Sequence, residues 1–294
     1  MRLFSTLKGY KKAYLFKDIF SGIIIAAVSI PISMGYAEVA GLPAVYGLYG
    51  SVFPILCFAL FSTSPQFIFG VDAAPAAIVG ASLASAGIAA GSSEAMAFVP
   101  LIALMSGVWL LVFYFLGAGK IVNYISTPVM GGFISGICLT IILMQIPKVL
   151  GGTTGEGELF ELIGHIAETL KNVNAPSIAL GIAALVCIRL SQKFFPKFPM
   201  SIVMMALGVS GSMIFGIEDY GVRLLSAVEP GLPVLSVPSS AGIDLSSAAG
   251  TSLTIAVVVM SETLLSENNF AFKNHYKIVE NREILACAAG NIAA

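Results

Sequence analysis

Apolar residues fall in long blocks at 18–37, 45–62, 72–90, 95–117, 121–147, 175–192, 199–216 and 248–266, and another begins near 281. Short polar or Pro/Gly-containing segments separate them. Blocks of this length cross about 30 Å of hydrocarbon as helices. The third is short and follows a polar, proline-containing approach, "STSPQFIFGV", which reads as extended chain feeding a half-helix. Two segments break the pattern. Over 156–172, Leu159, Leu162, Ile163, Ile166 and Leu170 share one helical face while Glu158, Glu161, His165 and Glu168 lie elsewhere, as in a helix resting on a membrane surface. Residues 217–247 carry Glu218, Asp219, Glu229, Asp244 and several prolines and read as an extramembrane linker, with "GLPVLSVP" extended.

Composition sharpens this to an all-α polytopic membrane protein. The chain of 294 residues is 57% hydrophobic and 11% charged, with a mean hydropathy of +0.93. A soluble domain needs far more charge to cover its surface. A net charge of −1 offers no field for nucleic acid. Cys57, Cys138, Cys187 and Cys287 stand singly in apolar sequence, as packed free thiols do. With the N-terminus inside, only Lys148, Lys171 and Arg223 of the 15 lysines and arginines lie outside. This asymmetry predicts a cytoplasmic N-terminus. The basic segment 1–17 leads into a full-length span, so the first span itself targets the chain to a bacterial-type inner or plasma membrane.

The chemistry sits where polar groups interrupt the blocks. Asp72 directly precedes "AAPAAIVGASLASAG", with Pro75 in the first turn. Aspartate before a helix and proline just inside it punctuate a helix start, here placed within the bilayer. Such an end carries free N–H groups and favours anions, and broken helices aimed at the midplane build many transporter sites. Asp72 either caps this helix alone or also takes part in a site. Glu262 and Ser266, one turn apart in "VVVMSETLLSENNF", present a carboxylate and a hydroxyl on one face, suited to Na⁺ or a proton. The competing reading is a glutamate at the cytoplasmic interface, which is how Glu267 reads. Glu38 falls at the outer interface, and Pro31 breaks the first span. Gly132 and Gly136 in "GGFISG" predict a close helix approach. Glu161, His165 and Glu168 have metal-like spacing but read better as a solvated face. No nucleophile–base or metal-ligand pattern lies in the spans, so an enzyme is not expected, nor any cofactor beyond a coupling ion.

"PISMGYAEVAGLPAVYGLYGS" at 31–51 closely resembles the signature of the sulfate permease (SulP) family, also called the SLC26 family of anion transporters. Four further stretches agree in order: 125–151, "KFPMSIVMMALG", "GLPVLSVP" and "ENREILACAAGNIA". The resemblance implies two inverted seven-span repeats split into core and gate, with elevator-like alternating access. The substrate then lies between half-helices three and ten, walled by spans one and eight. Carried over, Asp72, Ala73 and Ala74 start half-helix three, Ile32 and Tyr36 line span one, and Glu262 with Ser266 hold the coupling-ion position. The family often has Gln or Glu where Ile32 stands. Many members have a small or hydroxyl residue where Asp72 stands; a fixed charge there repels an anion unless paired or protonated.

The expected organisation is a basic cytoplasmic segment (1–17), a first repeat (18–217), an extracellular linker (218–247) and the start of a second repeat (248–294). Half-helix ten and the cytosolic STAS domain usual in the family are expected beyond that point. The reading is secondary active transport of sulfate, bicarbonate or a dicarboxylate, coupled to Na⁺ or H⁺, in a homodimer when full length. The alternatives are a nucleobase transporter of the same architecture or a truncated, non-transporting membrane protein.

Overall fold

The computed structural model describes residues 4, 6, 10–120, 127–153, 155, 159–194, 200–224 and 245–294. Among them there are helices and connections but no strands. In chain order the helices are α1 Leu15–Val39, α2 Ala44–Gly50, α3 Phe53–Phe61, α4 Ala73–Ser85, α5 Ser93–Phe115, α6 Thr127–Val149, α7 Leu159–Thr169, α8 Ala175–Phe194, α9 Met200–Phe215, α10 Leu245–Lys273 and α11 Glu280–Ile292. The expected linker stretch 231–238, and residues 121–126 and 156–158, lie outside the described residues.

Among the described residues, five helical segments are long and apolar enough to cross a membrane: Lys12–Val39, Ala44–Phe61, Ser93–Phe115, Ala175–Phe194 and Leu245–Lys273. Their outer faces leave large apolar side chains uncovered, among them Phe16, Ile19, Phe20 and Ile23 on α1 and Leu185 and Leu190 on α8. Such faces suit lipid rather than water. The best-covered region is where α5, α10 and α11 meet: Phe98, Ile102 and Leu110 of α5, Ala256 and Leu264 of α10 and Ile284 of α11 are buried together.

Two expectations are corrected and one is refined. The span at 45–62 is present as Ala44–Phe61 but is broken inside. Pro54 has no N–H, and its ring conflicts with the carbonyl four residues back; that residue is Gly50, where α2 stops before α3 begins at Phe53. Gly132 and Gly136 do not mark a helix seam among the described residues, since an added Cβ at either meets nothing of theirs within 4 Å. The seams are at Gly47, where a Cβ would strike the Ser33 carbonyl, at Gly80 against the Val39 carbonyl, and at Gly107 and Gly290, which face Ile292 and Phe69. Lastly, α10 runs seven residues beyond the expected end at 266, to Lys273. Glu267 is therefore not interfacial; it is fully buried.

The third block behaves as a half-helix. With 13 residues, α4 spans about 20 Å, short of the bilayer core. Residues 62–72 before it form no regular structure. This strap is held by local and distant bonds. Ser62 Oγ accepts from the Ser64 amide at 3.0 Å, Ser64 Oγ accepts from the Phe67 amide at 3.3 Å, and Phe69 stacks on Phe58 with centroids 4.9 Å apart. Thr63 donates to Glu283 of α11 through both its amide and its hydroxyl.

Candidate functional site

The start of α4 is built by local chemistry. Asp72 is extended (φ −120°, ψ 151°) and caps the helix, its Oδ1 accepting from the Ala73 amide at 2.6 Å. Pro75 has no N–H, and the Ala76 amide bonds the Asp72 carbonyl at 3.2 Å. Of the opening turn, the Ala74 N–H is the donor left over for an outside acceptor. Asp72 is exposed, Ala73 half-buried and Ala74 buried. Small side chains bring α4 close to its neighbours: Gly80 admits the Val39 carbonyl of α1.

Contacts with α10 set what faces this end. Ser82 Oγ and Thr251 Oγ1 are 2.9 Å apart. From that bond, ten residues back along α4 and eleven forward along α10 each cover about 15 Å, so antiparallel helices bring Asp72 level with Glu262. Their carboxyl groups lie near enough there to influence each other's charge. Glu262 is half-buried, and its Oε2 has no donor among the described residues. Tyr36 on α1 lies near Asp72 and Cys138. Ile32, one turn earlier on α1, is exposed and brings only hydrocarbon. Ser266 lies one turn beyond Glu262, half-buried, and hydrogen-bonds to neither carboxyl. The structure thus gathers Asp72, Ala73, Ala74, Tyr36 and Glu262, while Ser266 and Ile32 stand at the margin.

Other candidates resolve more simply. Glu38 pairs with Lys148 of α6, both partly exposed, at the end of α1. His165 Nε2 lies 3.4 Å from the Thr153 carbonyl, and among the described residues no group of three or more metal-ligating side chains forms. The four cysteines are free.

The order of elements, the broken third span and the paired carboxylates can be set beside known proteins. The sulfate permease family model matches residues 15–294, nearly the whole chain. The chain belongs to the sulfate permease family. A probable sulfate transporter of Mycobacterium tuberculosis (strain CDC 1551 / Oshkosh) is 28% identical over 293 residues, covering 97% of this chain and 51% of that protein. The bicarbonate transporter BicA of Picosynechococcus is 24% identical, covering 94% and 49%. The chain thus spans about half the length of these relatives. Among solved structures, the murine Slc26a9 anion transporter in its inward-facing state superposes with a TM-score of 0.85 at 21% identity, covering 98% of this chain and 51% of that one. The transmembrane domain of a cyanobacterial BicA gives 0.81 at 21% identity, covering 96% and 72%. These likenesses establish the SLC26-type transmembrane fold, and the protein is an integral membrane protein.

One pair escaped sequence reasoning. Glu267 and Glu283, on α10 and α11, are both fully buried and face each other. The available signal was a second glutamate on each helix, Glu267 five residues after Glu262 and Glu283 three after Glu280, masked by the polar neighbours of both.

Proposed function

We propose that this protein is the transporting half-site of a secondary active anion carrier, for sulfate, bicarbonate or a dicarboxylate, working by alternating access and coupled to protons. The observation that carries the reading is the meeting of Asp72 and Glu262 at the N-terminal end of a half-helix. Two ionised carboxylates held this near each other repel, so the pair favours taking up a proton. An anion approaching the Ala74 N–H meets the charge of this pair. Each proton the pair takes up removes one negative charge from the anion's surroundings. Proton binding and anion binding therefore favour each other, and by linkage the coupling is reciprocal. That is the thermodynamic requirement of a symporter. The named sulfate and bicarbonate transporters among its relatives support the substrate class. The lysine and arginine bias supports a cytoplasmic N-terminus, and we extend the reading to a homodimer of the full-length product.

The test is uptake of radiolabelled sulfate or bicarbonate by the full-length gene product in proteoliposomes. An inward proton gradient should drive accumulation, and Glu262→Gln should reduce it to the level seen without a gradient. Wild-type accumulation by Glu262→Gln removes the coupling role. Accumulation driven by Na⁺ at equal pH on both sides replaces the proton with sodium.

A further inference from the structure

Beyond the Asp72–Glu262 site, the structure holds a second carboxyl pair. It lies between α10 and α11. Thr263 and Glu267 are one turn apart on α10; Cys287 and Glu283 are one turn apart on α11. The antiparallel helices match them in two rungs, Thr263 against Cys287 and Glu267 against Glu283. Glu267, Glu283 and Cys287 are almost wholly shielded from solvent.

The donors around this pair are unevenly shared. Glu283 Oε1 accepts from the Thr63 amide at 2.6 Å and from the Thr63 hydroxyl. Glu283 Oε2 and both oxygens of Glu267 meet no donor among the described residues. Three buried acceptor oxygens thus converge with nothing to bind. An unmatched buried acceptor is costly, and more so when charged, so the arrangement calls for a positive ligand. A sodium ion wants five or six oxygens, and no cluster of metal-ligating side chains forms here among the described residues. A single proton engages two of the three: carried by one oxygen of Glu267, it is donated to Glu283 Oε2, while Thr63 holds Glu283 as the acceptor.

We propose that Glu267 and Glu283 are a second proton-binding site, in which one shared proton ties α10 to α11. The titratable and charged groups on the elements around it are Glu262 and Lys273 on α10, His275, Tyr276 and Lys277 in the turn from α10, Glu280, Arg282 and Cys287 on α11, Glu94 and Tyr114 on α5 and Cys57 on α3. The Arg282 guanidinium donates to the Phe61 carbonyl at 2.8 Å, and the Tyr276 hydroxyl lies 3.5 Å from Ser64 Oγ. The site is independent of the transport reading. Its proton is structural to the α10–α11 joint, and its loss leaves two buried anions facing each other.

The experiment is infrared spectroscopy of the full-length protein in lipid at neutral pH, reading the C=O stretch of protonated carboxyl groups. An Asp72→Asn/Glu262→Gln background silences the first pair, and the acid band of the second should remain there. Adding Glu267→Gln should remove it, since the amide donates to Glu283 in the proton's place. Glu267→Leu supplies the same test should the glutamine variant fail to fold. An acid band missing from the background, or one that survives both substitutions, overturns the proposal. So does a thermal-unfolding midpoint that rises when Na⁺ replaces choline in the background protein but not in Glu267→Gln, for the pair would then hold a metal cation.

Discussion

At the scale of single residues, position relative to neighbours decides what a carboxylate does. Asp72 spends one oxygen on its own helix start and still lies near Glu262, so capping does not take it away from that neighbour. The cap was legible because Asp-Ala-Ala-Pro is local. Glu267 was not: a hydropathy count sees a glutamate near a span end, and only the arrival of α11 buries it. Outside the spans, the Tyr10 hydroxyl donates to Asp18 Oδ2 at 2.5 Å. That bond, with lesser contributions from desolvation and the Asp18 charge, raises the phenol above its ordinary 10.0. The link is fully present below the unfolded value and is lost as pH rises through the folded one. Asp18→Asn should therefore move the Tyr10 midpoint down, read as the ultraviolet titration difference between each protein and its Tyr10→Phe counterpart.

Helices come together here mainly where side chains are missing. Gly47 lets α2 lie on the Ser33 carbonyl of α1, and Ser51 Oγ then reaches Ser33 Oγ at 2.6 Å. Gly80 does the same for α4 on α1. These are backbone contacts, so no neighbouring rotamer can give way. Gly47→Val should cost about 1–3 kcal/mol as overpacking, measured as a lower thermal midpoint in detergent. Gly132→Val, which meets open space, should leave the midpoint unchanged. The sequence offered both glycine sets with equal force, because spacing along one helix says nothing of which face a partner will use. The Pro54 break was readable from its residue alone and was missed by averaging hydropathy across it.

For the molecule as a whole, the expected order of spans holds, since apolar block length is a property of the sequence itself. What was not legible is the knitting of distant segments. The end of α3 and the strap after it are bonded to α11 through Thr63, Arg282 and Glu283, and α5 is covered by α10 and α11. A product ending before Glu280 would uncover Phe98, Ile102 and Leu110. It is expected to elute as aggregate in fluorescence-detected size exclusion where the longer chain is monodisperse; a symmetric peak from the shortened product contradicts this.

The Thr63–Glu283 bond also has a history in time. Its partners are 220 residues apart, and a ribosome adding roughly 5–20 residues per second needs about 10–40 s to make the second after the first. Through that interval the first spans are already in the bilayer with a polar strap that has no lasting partner. Until its acceptor emerges, Thr63 must find its hydrogen bonds elsewhere, in water, lipid headgroups or another protein. Slowing translation between α9 and α11 would lengthen the exposure and lower the yield of folded protein without altering a single residue.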